Sequence, residues 1–251
     1  MKGAGHRLLL YTLVHLRAEQ IVFRLYYRFG RRLVRRLAKS APGPALRRSW
    51  AGPWSAPLVM PPCQLERGVF EFLGERGQVD GPSAWNAPGR SKLWLYNLNY
   101  LDDLNAQGAD ERADLEDWLV QRWIDDNPPP AGNGWEPYVL SLRLVNLVKW
   151  CARRRTVPEA WIASIAQQAQ ALAVQEERHI LANHLFANGK ALTFVGAFFD
   201  GDIGTRWLKR GLRILDREVE EQFLNDGGHF ELSPMYHSTL LWDLCDLVNL
   251  A

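Results

Sequence analysis

Residues 137–153 read PYVLSLRLVNLVKWCAR, and this stretch decides the fold. Its pattern predicts a helix that is apolar on nearly every side, and such a helix must be surrounded by other elements. We therefore expect it to lie deep in a helical domain. The residues that carry the pattern are Val139, Leu140, Leu142, Leu144, Val145, Leu147 and Val148.

Helical periodicity extends on both sides of this stretch. Five further helices are predicted, at 110–126, 158–177, 180–199, 205–224 and 233–250. Helices of this length with short connections pack as antiparallel neighbours, so the sequence predicts stacked helix hairpins. No strict internal repeat is visible, which argues against a consensus-repeat solenoid.

The segment before the helical body has a different composition. Six prolines fall within 41–62, and such density excludes a regular helix or strand. Residues 68–80 resemble a short β-hairpin, and 92–104 begin strand-like and end in a helix. We therefore divide the chain into a helical arm (1–40), a Pro-rich, strand-containing linker (41–105) and a helical domain (106–251).

Charge separates the arm from the rest of the chain. Residues 1–48 contain 12 Lys or Arg and one acid, whereas 49–251 contain 18 Lys or Arg and 27 acids. The overall composition, with 47% hydrophobic and 23% charged residues, excludes a disordered chain, a collagen and a polytopic membrane protein. The three cysteines form no CxxC or zinc pattern, which favours a reducing compartment without disulfides.

Residues 6–39 combine apolar positions at helical spacing with a dense run of arginines, and Gly30 predicts a break. The stretch lacks a cleavage site typical of signal peptides, and its apolar run is too short to span a membrane. Two interpretations remain open. The arm is either an amphipathic helix at an anionic membrane surface or a helix packed on the acidic body. A basic stripe also permits nucleic-acid binding, but no recognition motif supports it.

Three polar segments interrupt the apolar helices, at 132–138, 183–190 and 226–237. Polar groups in an apolar helix either find internal partners or face a cavity. Each segment is therefore explained either by internal hydrogen bonds that stabilise the fold or by a functional site. None of them matches a metal motif such as HExxH or a defensible catalytic triad, and we predict no metal or cofactor.

The segments NHLFANGKAL, DGGHFELSPMYH and GWEPYVLSLRLVN resemble the heparinase II/III-like family of polysaccharide lyases. The stretches LVHLRAEQIVFRLYYRF and KLWLYNLNYLDDL resemble members whose genes accompany bacterial surface-polysaccharide synthesis. The resemblance covers nearly the whole chain and implies an incomplete (α/α) toroid followed by a β-sandwich domain. Because the chain ends at Ala251 directly after a helical run, we expect a truncated toroid without the β-sandwich.

Family membership implies β-elimination at a uronic acid in an acidic polysaccharide. It implies that Asn183 and His184 neutralise the uronate carboxylate and that Tyr236 exchanges protons with the substrate. Six further residues are candidates for substrate binding or for orienting the site: Trp135, Tyr138, Asn188, Lys190, Glu231 and His237.

Two alternatives remain open. One is a non-catalytic carbohydrate-binding module associated with polysaccharide biosynthesis. The other is an (α/α) glycoside hydrolase that uses Asp226 and Glu231 as its paired carboxylates. Without an export signal we expect a cytoplasmic or inner-membrane-associated protein, with the periplasm as the alternative. The sequence leaves the oligomeric state open.

Overall fold

The computed structural model describes residues 14–40, 47–48, 54–55 and 59–251. Most of the predicted Pro-rich stretch, and the start of the arm, lie outside these residues. The described chain is mainly helical with one small antiparallel sheet. Its elements are α1 (Ala18–Phe29), α2 (Arg31–Lys39), β1 (Gln64–Glu66), β2 (Val69–Phe72), β3 (Glu75–Gln78), α3 (Lys92–Tyr100), α4 (Ala113–Asp126), α5 (Pro137–Arg153), α6 (Glu159–Ala173), α7 (Ala182–Phe198), α8 (Gly201–Gln222) and α9 (Pro234–Leu250).

The helical body has an inner row of α5, α7 and α9, connected by the returning helices α6 and α8. The inner helices run parallel, because contacts between them join residues at corresponding positions along each helix. Ser141 of α5 accepts a hydrogen bond from Asn188 of α7, and Lys190 of α7 contacts Asp243 of α9. Helix α5 is buried on nearly all sides, as predicted, and helix α7 is buried in the same way. The parallel row places the N-termini of three helices at the same end of the body.

Helices α7 and α8 approach each other too closely for side chains at several contact points. A Cβ at Gly196 would lie 2.3 Å from the backbone nitrogen of Leu208, and one at Gly211 would lie 2.5 Å from that of Thr193. The glycines therefore set the distance between the two helices. This close contact fixes the position of α7, which carries four of the predicted site residues: Asn183, His184, Asn188 and Lys190.

The strand-like start predicted at 92 is wrong. Helix α3 begins at Lys92, and the Ser91 hydroxyl caps it by accepting a hydrogen bond from the Trp94 backbone at 3.2 Å. The apolar side chains of Trp94, Leu95 and Leu98 are buried. Their spacing fits one face of a helix, and the N-cap at Ser91 is a second feature that favours a helix over a strand.

The predicted hairpin at 68–80 is confirmed. Strands β2 and β3 pair antiparallel through Phe72 and Glu75. Leu73 and Gly74 connect them with φ angles of 57° and 74°, as a tight two-residue hairpin turn requires. Strand β1 adds a third strand next to β2.

The arm breaks at Gly30 between α1 and α2, as predicted, and one of its faces packs on the body. Glu19 forms ion pairs with Arg178 at 3.1 Å and with Arg217 at 2.8 Å. The Tyr27 hydroxyl donates a hydrogen bond to the Glu176 carbonyl at 2.5 Å. This face of the arm therefore packs on the helical body, which is one of the two interpretations of the sequence. No helix within the described ranges is long and apolar enough to cross a membrane.

We predict that Gly211→Ala lowers the free energy of unfolding by about 1–3 kcal/mol, because a methyl group would meet the backbone of α7. Chemical denaturation measures the change. The control is Gly89→Ala, where a Cβ meets no atom within 4 Å. Equal stability of the two variants would contradict the close contact between α7 and α8.

Candidate active site

The first turns of the three inner helices bring four of the predicted residues to one end of the body. Tyr138 is the second residue of α5, Asn183 and His184 open α7, and Tyr236 lies in the first turn of α9. The N-terminus of a helix carries a partial positive charge and unpaired N–H groups. The ends of these helices therefore favour an anionic group beside these side chains.

Tyr138 lies at the centre of this group. Its ring packs against the His184 imidazole with 4.5 Å between the ring centroids, and the Asn183 side chain lies near its phenol. Burial raises the pKa of Tyr138 to about 12, with further contributions from nearby Asp243, Glu177 and Tyr236. The Tyr138 phenol therefore stays protonated at neutral pH and serves as a hydrogen-bonding group.

His184 is oriented by an acid that the sequence analysis did not single out. Its Nδ1 lies 3.0 Å from a carboxylate oxygen of Glu177. An ionised carboxylate can only accept, so Nδ1 is the donor. The Nε2 atom of His184 makes no hydrogen bond to the described residues and is left for a ligand. The predicted helix 158–177 included Glu177, but α6 ends at Ala173 and leaves Glu177 in the connection before α7.

Asn188 is a positioning residue in this structure. It is fully buried, and its side-chain oxygen accepts a hydrogen bond from the Glu177 backbone at 2.7 Å. Its amide nitrogen donates to the Ser141 hydroxyl at 3.0 Å and to the Glu177 carboxylate at 3.3 Å. Asn188 thereby fixes the acid that orients His184. Its predicted contact with substrate would have to replace one of these bonds.

The backbone is strained immediately before two of the site segments. Leu181 and Ala182 have φ angles of 70° and 52°, and Leu232 has 53°. Residues with a Cβ rarely adopt this left-handed region, at a cost of about 1–3 kcal/mol each. Asn183 and Tyr236 follow these residues closely in the chain. The strain sets the direction from which α7 and α9 enter the site.

Lys190 lies below the site, inside a buried ionic cluster. Its ammonium group lies 2.6 Å from Asp243 and 2.5 Å from Asp246, and Lys149 also contacts Asp246. Burial, together with the neighbouring Lys190, lowers the pKa of Lys149 to about 8. The cluster connects α5, α7 and α9. The Lys190 ammonium group, which was predicted to bind substrate, is already paired with the two carboxylates of this cluster.

Trp135 is packed inside the protein. Its indole is only 5% exposed and donates a hydrogen bond to the Asn127 carbonyl at 3.1 Å. It also packs against Trp123, with 5.8 Å between the ring centroids. The structure therefore favours a packing role for this ring over the predicted stacking on a sugar.

The remaining candidates, in and just after the loop before α9, differ in their exposure and hydrogen bonding. Glu231 is exposed, and its backbone nitrogen donates to Nδ1 of the buried His229 at 3.4 Å. His237 has a buried Nδ1 without a hydrogen-bond partner among the described residues. Asp226 accepts a hydrogen bond from the Gly228 backbone at 2.9 Å, which is the geometry of a turn. This contact gives no support to the alternative in which Asp226 is one of two catalytic carboxylates of a glycoside hydrolase.

Comparison with known proteins places these features in a family. A family model described as the heparinase II/III N-terminus matches residues 107–251. A heparin-sulfate lyase of Bacteroides thetaiotaomicron is 26% identical over 151 residues, covering 55% of this chain and 21% of the relative. One of Bacteroides stercoris is 39% identical over 70 residues, covering 28% and 10%.

A solved structure has a similar fold. The heparan sulfate lyase HepC from Pedobacter heparinus matches with a TM-score of 0.57 and 18% identity, over 93% of this chain and 39% of that one. The fold is therefore an incomplete (α/α) toroid, as predicted. The chain belongs to the heparinase II/III-like family and corresponds to its N-terminal part. It spans well under half the length of these relatives.

We predict that Asn188→Leu lowers the free energy of unfolding by about 2–3 kcal/mol, because it leaves buried groups of Glu177 and Ser141 without their partners. Thermal and chemical denaturation measure the change. Asn97→Leu is the control, since the Asn97 amide bonds only within its own helix. Unchanged stability of Asn188→Leu would show that Asn188 does not hold the Glu177 segment.

Proposed function

We propose that the protein acts as a polysaccharide lyase, which cleaves a uronic-acid-containing polysaccharide by β-elimination. The observation that carries this proposal is the placement of Asn183, His184 and Tyr236 around Tyr138, in the first turns of α7 and α9. The family relationship supports the same chemistry, because the matched relatives are named heparin-sulfate lyases.

The reaction needs a group that stabilises negative charge at the substrate carboxylate. Removal of the C5 proton leaves charge that spreads onto the adjacent carboxylate, and the electron pair then expels the oxygen at C4. The Asn183 amide can donate to that carboxylate without adding negative charge. His184 can help through Nε2, because Glu177 already holds Nδ1. The N-terminus of α7 adds its partial positive charge.

Tyr236 is the proposed proton-transfer group. A phenol can give a proton to the departing C4 oxygen, and it can accept the C5 proton once its own proton has been removed. His237 adjoins Tyr236, but successive helix residues point about 100° apart. It is therefore assigned a supporting role, and the exposed Glu231 is assigned a place at the edge of the substrate cleft.

We predict that the full natural chain releases unsaturated products from heparan sulfate, and that Tyr236→Phe lowers kcat by about 10²–10⁴-fold, the usual worth of a general acid–base group. The new C4–C5 double bond absorbs in the ultraviolet, which gives the measurement. Tyr26→Phe removes an equivalent hydroxyl from the arm and is expected to leave the rate unchanged.

The products also distinguish the alternative functions. New reducing ends without ultraviolet absorbance would indicate a hydrolase. Polysaccharide binding without cleavage of any uronic-acid polymer would indicate a binding module. If Tyr236→Phe eliminates as fast as the parent, the assignment of Tyr236 is wrong.

We also propose that the outer face of the arm contacts an anionic membrane surface. Val22, Leu25, Phe29 and Leu33 are all between 49% and 78% exposed on the face turned away from the body. They recur at helical spacing among several arginines. Apolar residues flanked by arginine fit the interface of an anionic bilayer.

We predict that Val22→Ser combined with Phe29→Ser reduces cosedimentation with phosphatidylglycerol vesicles at least severalfold, because apolar area is lost from the interface. The control pair, Leu212→Ser and Leu224→Ser, removes exposed apolar residues from the body. Equal binding by both double variants would argue against the membrane contact.

A further inference from the structure

A cavity of about 540 Å³ lies between the arm and the helical body. The arm contributes Tyr27, Arg31 and Arg35 to its wall, and the body contributes Asn86, Asn133 and His179. The arm residues belong to the face that packs on the body, whereas the exposed apolar face points away. The cavity therefore exists only because the arm is docked.

The wall of the cavity is cationic. Arg31 and Arg35 lie one helical turn apart, and neither forms an ion pair with any residue in the described ranges. The acid in the wall is Glu136, which already pairs with Lys92 at 3.0 Å and accepts a hydrogen bond from Tyr96. Arg31 and Arg35 thus border a space in which the one carboxylate that lines it in the described part of the chain, that of Glu136, already has its own partners.

The body side of the cavity adds polar groups. The Nδ1 atom of His179 is buried and has no hydrogen-bond partner among the described residues. Asn86 accepts a hydrogen bond from the Asn133 backbone at 2.7 Å through its side-chain oxygen, which leaves its amide hydrogens free to donate. The body side therefore adds the Asn86 amide as a donor, and a ring nitrogen of His179 that has no partner among the described residues.

Residues that line the cavity are neighbours in the sequence of residues in the candidate active site. Glu136 and Pro137 line it and directly precede Tyr138. Gln175 and His179 also line it and lie on either side of Glu177, which orients His184. The cavity and the candidate active site therefore share two segments, the start of α5 and the connection before α7.

We propose that this cavity is a binding subsite for an anionic group, a sulfate or a carboxylate, on a sugar further along the polysaccharide chain. The proposal rests on the proposed function of the neighbouring site. Guanidinium groups bind both anions through paired hydrogen bonds. Arg31 and Arg35 are the residues proposed to make them, and the docked arm becomes part of the substrate cleft.

The test compares two double variants on the same helix. Arg31→Gln with Arg35→Gln removes the cavity pair, and Arg32→Gln with Arg36→Gln removes an equally spaced pair that does not line the cavity. All four arginines are exposed, so the two pairs differ in their position relative to the cavity. Both changes are made in Tyr236→Phe protein. Binding of a heparin decasaccharide, and of its fully desulfated form, is measured by calorimetry, and circular dichroism verifies folding.

We expect the cavity pair to weaken binding about tenfold beyond the control pair, as the loss of one charge-assisted hydrogen bond would. A difference seen only with the sulfated probe assigns the group as sulfate, and one seen with both probes assigns it as carboxylate. Equal weakening by the two pairs, or no binding of either probe, overturns the subsite. Failure of the lyase function would be seen separately, as missing unsaturated product from the parent protein.

Discussion

A buried guanidinium joins the helical body to the segments that precede it. Arg143 of α5 is fully buried and donates to the Asn99 carbonyl at 2.8 Å and to the Gly134 carbonyl at 2.6 Å. A third bond reaches Gln168 of α6, and the Trp123 ring lies 3.8 Å below the charge. Burying an unpaired cation is costly, and carbonyl oxygens and an aromatic face offset that cost. Burial also lowers the pKa of Arg143 below its usual value.

The position of the site follows from this interaction. Gly134 lies in the short 3-10 turn 133–135 that leads into α5, so holding its carbonyl fixes the start of that helix. Tyr138 comes four residues later and contacts His184. The same turn supplies Asn133 to the cavity beneath the arm. One buried charge therefore positions both the proposed catalytic end of the body and the wall of the neighbouring cavity.

The sequence predicted the helices and the three polar segments, because burial imposes a periodic pattern on the chain. It could not predict the partners of each polar residue. An asparagine or lysine in an apolar helix satisfies the same pattern whether it meets a ligand or another helix. Lys190 meets two aspartates of α9, and Asn188 meets Glu177. The Lys190 contacts depend on the packing of parallel helices that are distant in sequence, and the Asn188 contact depends on the path of the connection before α7.

The error at 92–104 has a similar origin. A short apolar stretch fits a strand and a helix about equally well, and the Ser91 cap and the burial of Trp94 decide the outcome. Glu177 escaped prediction for another reason. At the end of the predicted helix 158–177 its carboxylate resembles any solvated acid, and its contact with His184 arises only because α6 ends at Ala173 and the chain turns back.

The uneven distribution of charge has a kinetic consequence. Residues 49–251 carry nine more acids than Lys and Arg, while the first 48 residues carry eleven more Lys and Arg than acids. An approaching polyanion is repelled by most of the body and attracted toward the arm, so diffusion itself selects the direction of encounter. Such steering acts over roughly one Debye length, about 8 Å at physiological ionic strength. Salt would therefore slow the capture of an acidic polymer even where the bound complex is unchanged.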